Sequence, residues 1–155
     1  MTWLGKFKLF LGFVAIALGV SMSLWFDKPQ VVEISSPSVK IAGQDIKVDI
    51  ADTPEKQTQG LSGRPSLRED EGMLFIFKNP GLYSFWMKDM NFAIDMIWIG
   101  EDMRVVHIKK DARPEDGLTP FGPKVNSKYV LEVVSGFSDK YGLKEGDLAE
   151  FLISN

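Results

Sequence analysis

The sequence predicts a mainly β protein of the α+β class, folded as a small curved antiparallel sheet or a partly closed β-barrel with one or two short helices. Short apolar segments separated by glycine, proline and asparagine recur along most of the chain, as expected for strands joined by turns. One segment carries both a helix start and a helix stop signal. An uncharged apolar stretch near the N-terminus predicts a transmembrane helix before this domain.

Residues 1–26 are predicted to form a signal anchor. The segment 9–26 contains no charged residue and approaches the roughly 20 apolar residues that span a bilayer. Because Lys6 and Lys8 precede it, we expect the N-terminus in the cytoplasm and the domain outside the inner, cytoplasmic membrane. The alternative is a cleaved signal peptide, which would release a periplasmic or secreted protein.

Residues 27–38 are predicted to be a tether, because Pro29, Pro37 and several serines leave few apolar side chains to anchor them. The domain is then expected to occupy residues 39–155. The chain has no cysteine, which excludes disulfides, zinc–cysteine sites and a cysteine nucleophile. Its net charge of -3 argues against nucleic acid as a partner. No cofactor is predicted.

The domain is predicted to begin with a hairpin and a helix. Residues 39–41 and 46–50 alternate apolar and polar side chains on either side of a turn, as in a half-buried β-hairpin. The helix has Thr53 as N-cap, Pro54 as its first residue and Gly60 as its stop. Its polar composition predicts a surface position.

The most apolar part of the chain is predicted to contribute three strands and much of the core. The almost continuous apolar run 73–77 indicates a strand covered on both faces. An Asn-Pro-Gly turn signal at 79–81 predicts that residues 83–87 form its antiparallel neighbour. Residues 94–99 and 104–108 are predicted to form a second hairpin.

The last third of the chain begins with a charged, proline- and glycine-rich region at 109–127. This region is longer than a typical connection, which predicts a mobile or functional loop. Strands are predicted at 129–134 and 148–153, with one helical turn at 138–141 between them.

Several short motifs follow one another along the domain in a fixed order and spacing. They are Gly60-Leu61 with Arg64, Gly72-Met73-Leu74-Phe75, Phe85-Trp86-Met87, Ile94-Asp95, Val130-Leu131-Glu132 with Gly136, and Gly142 with Gly146-Asp147. In these motifs the chain resembles the DUF192 family, also called UPF0127, over roughly residues 46–153. The resemblance implies a compact β-rich domain, often exported or membrane-anchored in bacteria and archaea. It implies no catalytic residue, because the function of the family is unknown.

The chain departs from the family pattern in three places. Ala93 stands where a proline usually precedes the apolar–Asp pair, and Ser62 and Gly63 replace a methionine and a bulkier residue before Arg64. The cysteines that some members carry in the 109–128 region are missing. Any redox or metal chemistry that those cysteines serve elsewhere is therefore not expected of this chain.

A soft-metal site is one hypothesis for the side chains of the apolar region. Thioethers and imidazole suit Cu(I), so Met73, Met87, Met90 and His107 are its candidate ligands. The protein would then be a periplasmic copper-binding protein. Packing of these methionines against aromatic side chains is the simpler interpretation, and no metal is assigned.

An aromatic groove is the preferred hypothesis for a ligand site. Tyr83 and Trp86 are predicted to line it with Met87, and Arg64 and Asp95 are predicted to rim it. Aromatic stacking with a few polar groups is suited to a sugar, a peptide segment or another small molecule.

The carboxyl groups of Asp95 and Glu132 share strand faces with apolar side chains. Such groups need a partner such as Arg64, or they could serve together as the acid–base pair of an envelope hydrolase. The predicted function is a membrane-anchored extracytoplasmic binding or accessory domain, with Glu132 among its candidate binding residues and no catalytic residue assigned. The oligomeric state is left open.

Overall fold

The computed structural model describes residues 36–153. They form seven strands, two short α-helices and one turn of 3₁₀ helix at Pro114–Asp116. The strands and α-helices are β1 Ser38–Ile41, β2 Gln44–Ala51, α1 Pro54–Gln59, β3 Glu71–Gly81, β4 Ile94–Ile99, β5 Val105–Ala112, β6 Ser127–Val134, α2 Phe137–Lys140 and β7 Ala149–Leu152. The predicted anchor at 1–26 and most of the tether lie outside the described residues. Between residues 36 and 153, no helix has the length and apolarity needed to cross a bilayer.

The strands form one sheet in the order β5-β4-β6-β3-β2-β1-β7. Neighbouring strands are antiparallel except β2 and β3, which are parallel. The prediction of a wholly antiparallel sheet was therefore wrong for this pair. Its physical cause is the connection through α1, which returns the chain along the sheet so that β3 starts in the same direction as β2.

The sheet curls into a half-barrel whose edge strands approach each other at one end. Arg104 and Leu148, which immediately precede β5 and β7, form an antiparallel bridge. The backbone N–H of Val105 donates to the Asp147 carbonyl over 2.9 Å, and that of Gly146 donates to the Val105 carbonyl over 2.8 Å. These bonds join the two edges where the curl brings them together.

Two clusters of buried apolar side chains cover the two faces of the sheet. Along β3 and β6, Leu74 and Leu131 belong to the first cluster, whereas Phe75 and Val130 belong to the second. Successive side chains of a strand point to opposite faces, so both faces of these strands are buried. This confirms the covered strand that the apolar run 73–77 predicted.

The turn and capping residues in the sequence correctly predicted the β1–β2 hairpin and the helix α1. The β1–β2 hairpin turns at Ala42 and Gly43, both of which have positive φ. The Thr53 hydroxyl accepts a hydrogen bond from the Lys56 N–H at 3.4 Å, and α1 ends before Gly60, whose φ is 51°. The β4–β5 hairpin, β6, α2 and β7 also lie within a few residues of their predicted positions.

The strand predicted at 83–87 is absent from the sheet. Instead, β3 runs through the Asn-Pro-Gly segment to Gly81, which pairs with Ser127 beyond an irregularity in the register. Both edges of β3 are already occupied, by β2 and β6. Residues 83–87 therefore cover one face of the sheet, and only Phe85 forms a bridge, to Phe121. The predicted loop 109–127 is shorter than expected, because β5 continues to Ala112.

Gly72 permits the close packing of β3 against β6. A Cβ atom at this position would lie 2.7 Å from the Glu132 carbonyl oxygen and 3.2 Å from Ile46 Cγ2. No real Cβ occupies such a position without a backbone shift. The glycine that opens the Gly72-Met73-Leu74-Phe75 motif thus helps to fix the position of Glu132 on β6.

Candidate ligand-binding cleft

The register of the strands places Glu132 in the middle of one face of the sheet. It lies opposite Met73 on β3 and Met96 on β4. This row of paired residues across the sheet continues to Asp49 on β2 and to Lys109 on β5. A thioether is only a weak hydrogen-bond acceptor. The two nearest side chains of the row therefore give the Glu132 carboxyl no donor.

An open cleft of about 270 Å³ lies on this face, and Glu132 is part of its lining. Its aromatic wall consists of Phe75, Phe77, Tyr83, Phe85 and Trp86. Its polar wall comes mainly from α1 and the loop after it, and consists of Gln57, Thr58, Gln59, Ser62 and Ser84. The cleft thus combines a broad apolar surface with a few polar groups, as small-molecule sites do.

The aromatic wall is held rigidly from behind. Phe77 and Tyr83 stack with their ring centroids 3.5 Å apart, and Phe85 packs edge-on against Trp98 at 5.9 Å. The Trp98 indole N–H donates to the Tyr83 carbonyl over 2.8 Å, and the Tyr83 hydroxyl donates to the Asn79 carbonyl over 2.6 Å. A wall fixed by these contacts loses little conformational entropy when a ligand binds.

Trp86 is partly exposed to solvent, although the backbone of the residues on either side of it is held by hydrogen bonds. Its side chain is 48% exposed, although Met87 beside it is buried. The backbone N–H of Met87 donates to the Gly117 carbonyl over 2.9 Å, and Phe85 is bridged to Phe121. The backbone on both sides of Trp86 is therefore anchored, while its indole ring is available at the mouth of the cleft.

Glu132 is a buried acid, and one of its carboxyl oxygens has no hydrogen-bond partner among the described residues. The residue is 4% exposed, and within residues 36–153 its Oε2 atom has no hydrogen-bond partner. Burial raises the pKa of Glu132 from 4.5 to about 8, although the nearby positive charge of Arg64 acts to lower it. At neutral pH the carboxyl group is therefore mostly protonated.

Arg64 lies outside the lining of the cleft. Its guanidinium Nη2 atom forms an ion pair with Asp49 Oδ2 at 2.6 Å, and its carbonyl accepts a hydrogen bond from Asn91. The prediction that Arg64 rims the groove next to Asp95 was wrong. Arg64 lies in the loop before β3, which packs beside β2, and Asp95 lies on the other face of the sheet.

Asp95 serves the structure of the domain. Its fully buried carboxyl group accepts backbone hydrogen bonds from Asp111 at 3.0 Å, from Gly136 at 3.3 Å and from Ser138 at 2.8 Å. It thereby ties β4 to the end of β5 and to the start of α2. Because Asp95 pairs with Val133, it faces away from Glu132, so the two acids do not form the pair that a hydrolase would need.

The candidate copper ligands are divided between the core and the surface. Met73 and Met87 are buried in the second apolar cluster, and Met90 packs against it. His107 lies on β5, with its ring 5.2 Å from that of Trp98 and its Nδ1 atom 3.5 Å from Glu145. In the part of the chain that the structure describes, no three His, Cys, Asp or Glu side chains are grouped to hold a metal ion.

Of the six predicted binding residues, the structure brings Tyr83, Trp86 and Glu132 together in one cleft. It does not include Arg64, Met87 or Asp95 in the lining. Sequence reasoning missed the polar wall from α1, because the helix was interpreted as a solvent-facing element. Gln57 and Gln59 in that helix were the available signal, since polar groups facing aromatic ones are typical of binding sites.

The fold and the site together define the class of protein: a domain built on a curled β-sheet, with an aromatic cleft that contains a buried acid. The model of the DUF192 family, described as an uncharacterized ACR, matches residues 37–151. The chain belongs to this family. No curated protein matches it.

Several solved structures are similar to the chain. One is a protein of unknown function from Novosphingobium aromaticivorans, with 33% sequence identity and a TM-score of 0.69, covering 74% of this chain and 82% of that one. Another, from Sinorhizobium meliloti, is described as a candidate transcription regulator, with 29% identity and a TM-score of 0.69, covering 74% of this chain and 91% of that one.

Proposed function

We propose that this protein is an extracytoplasmic binding or accessory domain, held at the cytoplasmic membrane by its N-terminal segment, whose ligand occupies the aromatic cleft. The uncharged segment 9–26 and the lysines before it support the membrane location. The cleft supports binding of a small molecule, a sugar or a segment of a peptide.

The observation that carries this proposal is that Glu132 lines an open cleft while its buried Oε2 atom has no hydrogen-bond partner within residues 36–153. Buried polar groups are nearly always hydrogen-bonded, and those that are not require an explanation. Met73 and Met96 flank Glu132 within the sheet and offer it no donor, and Glu132 is part of the cleft lining. A polar group of a bound ligand would complete the hydrogen bonding.

Binding is a better interpretation than hydrolysis for this cleft. Hydrolysis of a glycosidic bond normally requires two carboxyl groups on either side of the scissile bond. Of the residues between 36 and 153 that line the cleft, Glu132 is the one carboxylic acid, and Asp95 is buried on the opposite face with three backbone donors. Glu132 can therefore contribute to ligand recognition, but the lining formed by the described residues contains no second carboxyl group for acid–base catalysis.

Replacing Trp86 by alanine should weaken ligand binding while leaving the fold intact. A half-exposed ring contributes little to packing, so the free energy of unfolding should change by less than about 1 kcal/mol. Loss of its stacking surface should weaken binding about tenfold. The measurement is an NMR titration of the full-length chain with a panel of sugars, short peptides and small amines. It is followed at the Trp86 indole N–H in the wild type and at the side-chain amide of Gln57, another lining residue, in both proteins.

Leu152→Ala is the matched control, because Leu152 is 59% exposed and lies on β7, outside the cleft lining. It should bind every positive probe as the wild type does. The proposal would be contradicted if no probe perturbed the Trp86 indole, or if Trp86→Ala bound the positive probes with unchanged affinity.

A further inference from the structure

We infer that the ligand of the cleft is a small primary alkylammonium ion, whose N–H groups donate to Glu132 while its alkyl chain lies along the aromatic wall. This inference rests on the proposed binding function and specifies the chemistry of the ligand. It follows from the hydrogen-bonding state and the charge of the side chains that line the cleft.

Most side-chain donors of the polar wall are already hydrogen-bonded to backbone carbonyls of the protein. Gln57 Nε2 donates to the carbonyls of Ala51 and Ile76, at 3.3 Å and 2.9 Å. Gln59 Nε2 donates to the Ser62 carbonyl over 2.9 Å. Both N–H groups of Gln57 and one of the two N–H groups of Gln59 are engaged with backbone carbonyls, and each side chain retains its amide oxygen as an acceptor.

The hydroxyl groups of the lining follow the same pattern. Thr58 donates to the Pro54 carbonyl over 2.8 Å, Ser62 donates to the Lys88 carbonyl over 2.8 Å, and Tyr83 donates to the Asn79 carbonyl. Their oxygens keep only lone pairs for a ligand. Among the described residues, the other side-chain donors of the lining are Ser84, Trp86, the second N–H of Gln59 and the protonated carboxyl of Glu132. The cleft is thus rich in acceptors, which favours a ligand that carries several donors.

The charge of the lining favours a cation. Glu132 is the only acidic or basic side chain among the lining residues apart from the phenol of Tyr83. Aromatic faces carry negative potential and attract ammonium groups, most strongly where water is excluded. A primary ammonium combines positive charge with three N–H donors, whereas a quaternary ammonium has the charge alone.

Glu132 must lose its proton when it pairs with an ammonium ion. The groups that face it from the flanking strands, Met73 and Met96, do not titrate, and neither do Gln57 and Gln59 of α1. Tyr83 is the other titratable group of the lining.

Outside the lining, the charged groups to consider are Arg64, which acts on Glu132, and Asp49 and Lys109, which are each separated from it by one strand. Arg64 lowers the pKa of Glu132, Asp49 is held by Arg64, and Lys109 ends the row on β5 and lies over the Phe121 ring at 4.7 Å. None of them provides the missing hydrogen-bond partner of Glu132. Binding of an alkylammonium ion to the protonated acid therefore releases one proton to solvent.

The test uses n-butylammonium and 1-butanol, which share the alkyl chain, together with n-butyltrimethylammonium, which retains the charge. Affinities of the full-length chain are measured by NMR titration between pH 6 and 8, where the amine stays charged. The affinity for n-butylammonium should rise about tenfold between pH 6 and 7 and about fivefold between pH 7 and 8, because the free acid is itself about half ionised at pH 8. At pH 8 it should exceed that for either other probe by at least about tenfold.

Glu132→Gln should abolish this preference and its pH dependence. Glu55→Gln removes an exposed charge on α1. It should leave the preference for n-butylammonium and the pH dependence of its affinity within about twofold of the wild type, because the exposed charge is screened by solvent. The inference would be overturned by equal binding of n-butylammonium and 1-butanol with shifts at Trp86, an outcome that leaves the proposed function standing. Absence of shifts at Trp86 with every probe of both panels would overturn the proposed function as well.

Discussion

Replacing Asp95 by alanine is expected to lower the free energy of unfolding by about 3–5 kcal/mol, because it leaves buried donors without an acceptor. The lost acceptor serves the backbone N–H groups of Asp111 in β5 and of Gly136 and Ser138 at the start of α2. The loss should loosen the end of β5 and the start of α2 together. Urea unfolding of the full-length chain measures the change.

Asp45→Ala is the matched control for this change. Asp45 is an exposed aspartate beside the β1–β2 turn, so its loss should alter the free energy of unfolding by no more than about 0.5 kcal/mol. If Asp95→Ala cost no more than the control, the structural role assigned to Asp95 would be wrong. A variant that kept its stability but lost a hydrolytic activity would instead support the hydrolase hypothesis.

Glu132→Gln is expected to stabilise the protein in a pH-dependent manner. The pKa of Glu132 in the folded state is about 8, against an ordinary value of 4.5, and burial is the main cause. Each unit of difference corresponds to about 1.36 kcal/mol, so ionisation of Glu132 should cost the fold up to about 5 kcal/mol above pH 8. Glutamine keeps the size of the side chain and removes the ionisation.

The sign of this effect follows from the direction of the pKa change. Below pH 4.5 the acid is protonated in both states, so its ionisation does not destabilise the wild-type protein. Between pH 4.5 and about 8 the unfolded chain binds fewer protons than the folded one, and stability falls as pH rises. The stability difference between Glu132→Gln and the wild type should therefore grow across this interval and stay constant above it.

Urea unfolding at a series of pH values measures this difference. Glu150→Gln changes an exposed glutamate on β7, and its difference from the wild type should not vary over the same interval. A flat difference for Glu132→Gln would show that the acid is solvated or paired in the folded protein. That result would remove the main support for a binding role of the cleft.

The parts of the fold that depend on neighbouring residues were readable from the sequence. Thr53, Pro54 and Gly60 lie next to the helix that they delimit, and the β1–β2 hairpin follows from alternation on both sides of a short turn. In each case the determining contacts join residues close together in the chain. The predicted curvature of the sheet followed from its many short strands.

Strand partners could not be predicted in the same way. The segment 83–87 is as apolar and aromatic as a strand, but β6 occupies the place beside β3 that this segment would need. That competition is decided by residues more than 40 positions away in the sequence. The connection through α1 likewise determined that β2 and β3 run parallel.

The candidate site was partly predictable for the same reason. Aromatic density around Tyr83 and Trp86 marked one wall correctly. Alternation showed that Asp95 and Glu132 each share a strand face with apolar side chains. It could not show that the two acids face opposite sides of the sheet, because this depends on how β4 and β6 are aligned. Asp95 consequently stabilises the fold, while Glu132 faces the cleft.

The central claim is that Glu132 is a buried acid, without a partner in the described chain, that lines an open cleft. An NMR titration of its side-chain carboxyl carbon in the full-length protein tests this claim directly. We predict a midpoint at about pH 8, which should fall when n-butylammonium is added. A midpoint near the ordinary value of 4.5 would contradict the claim.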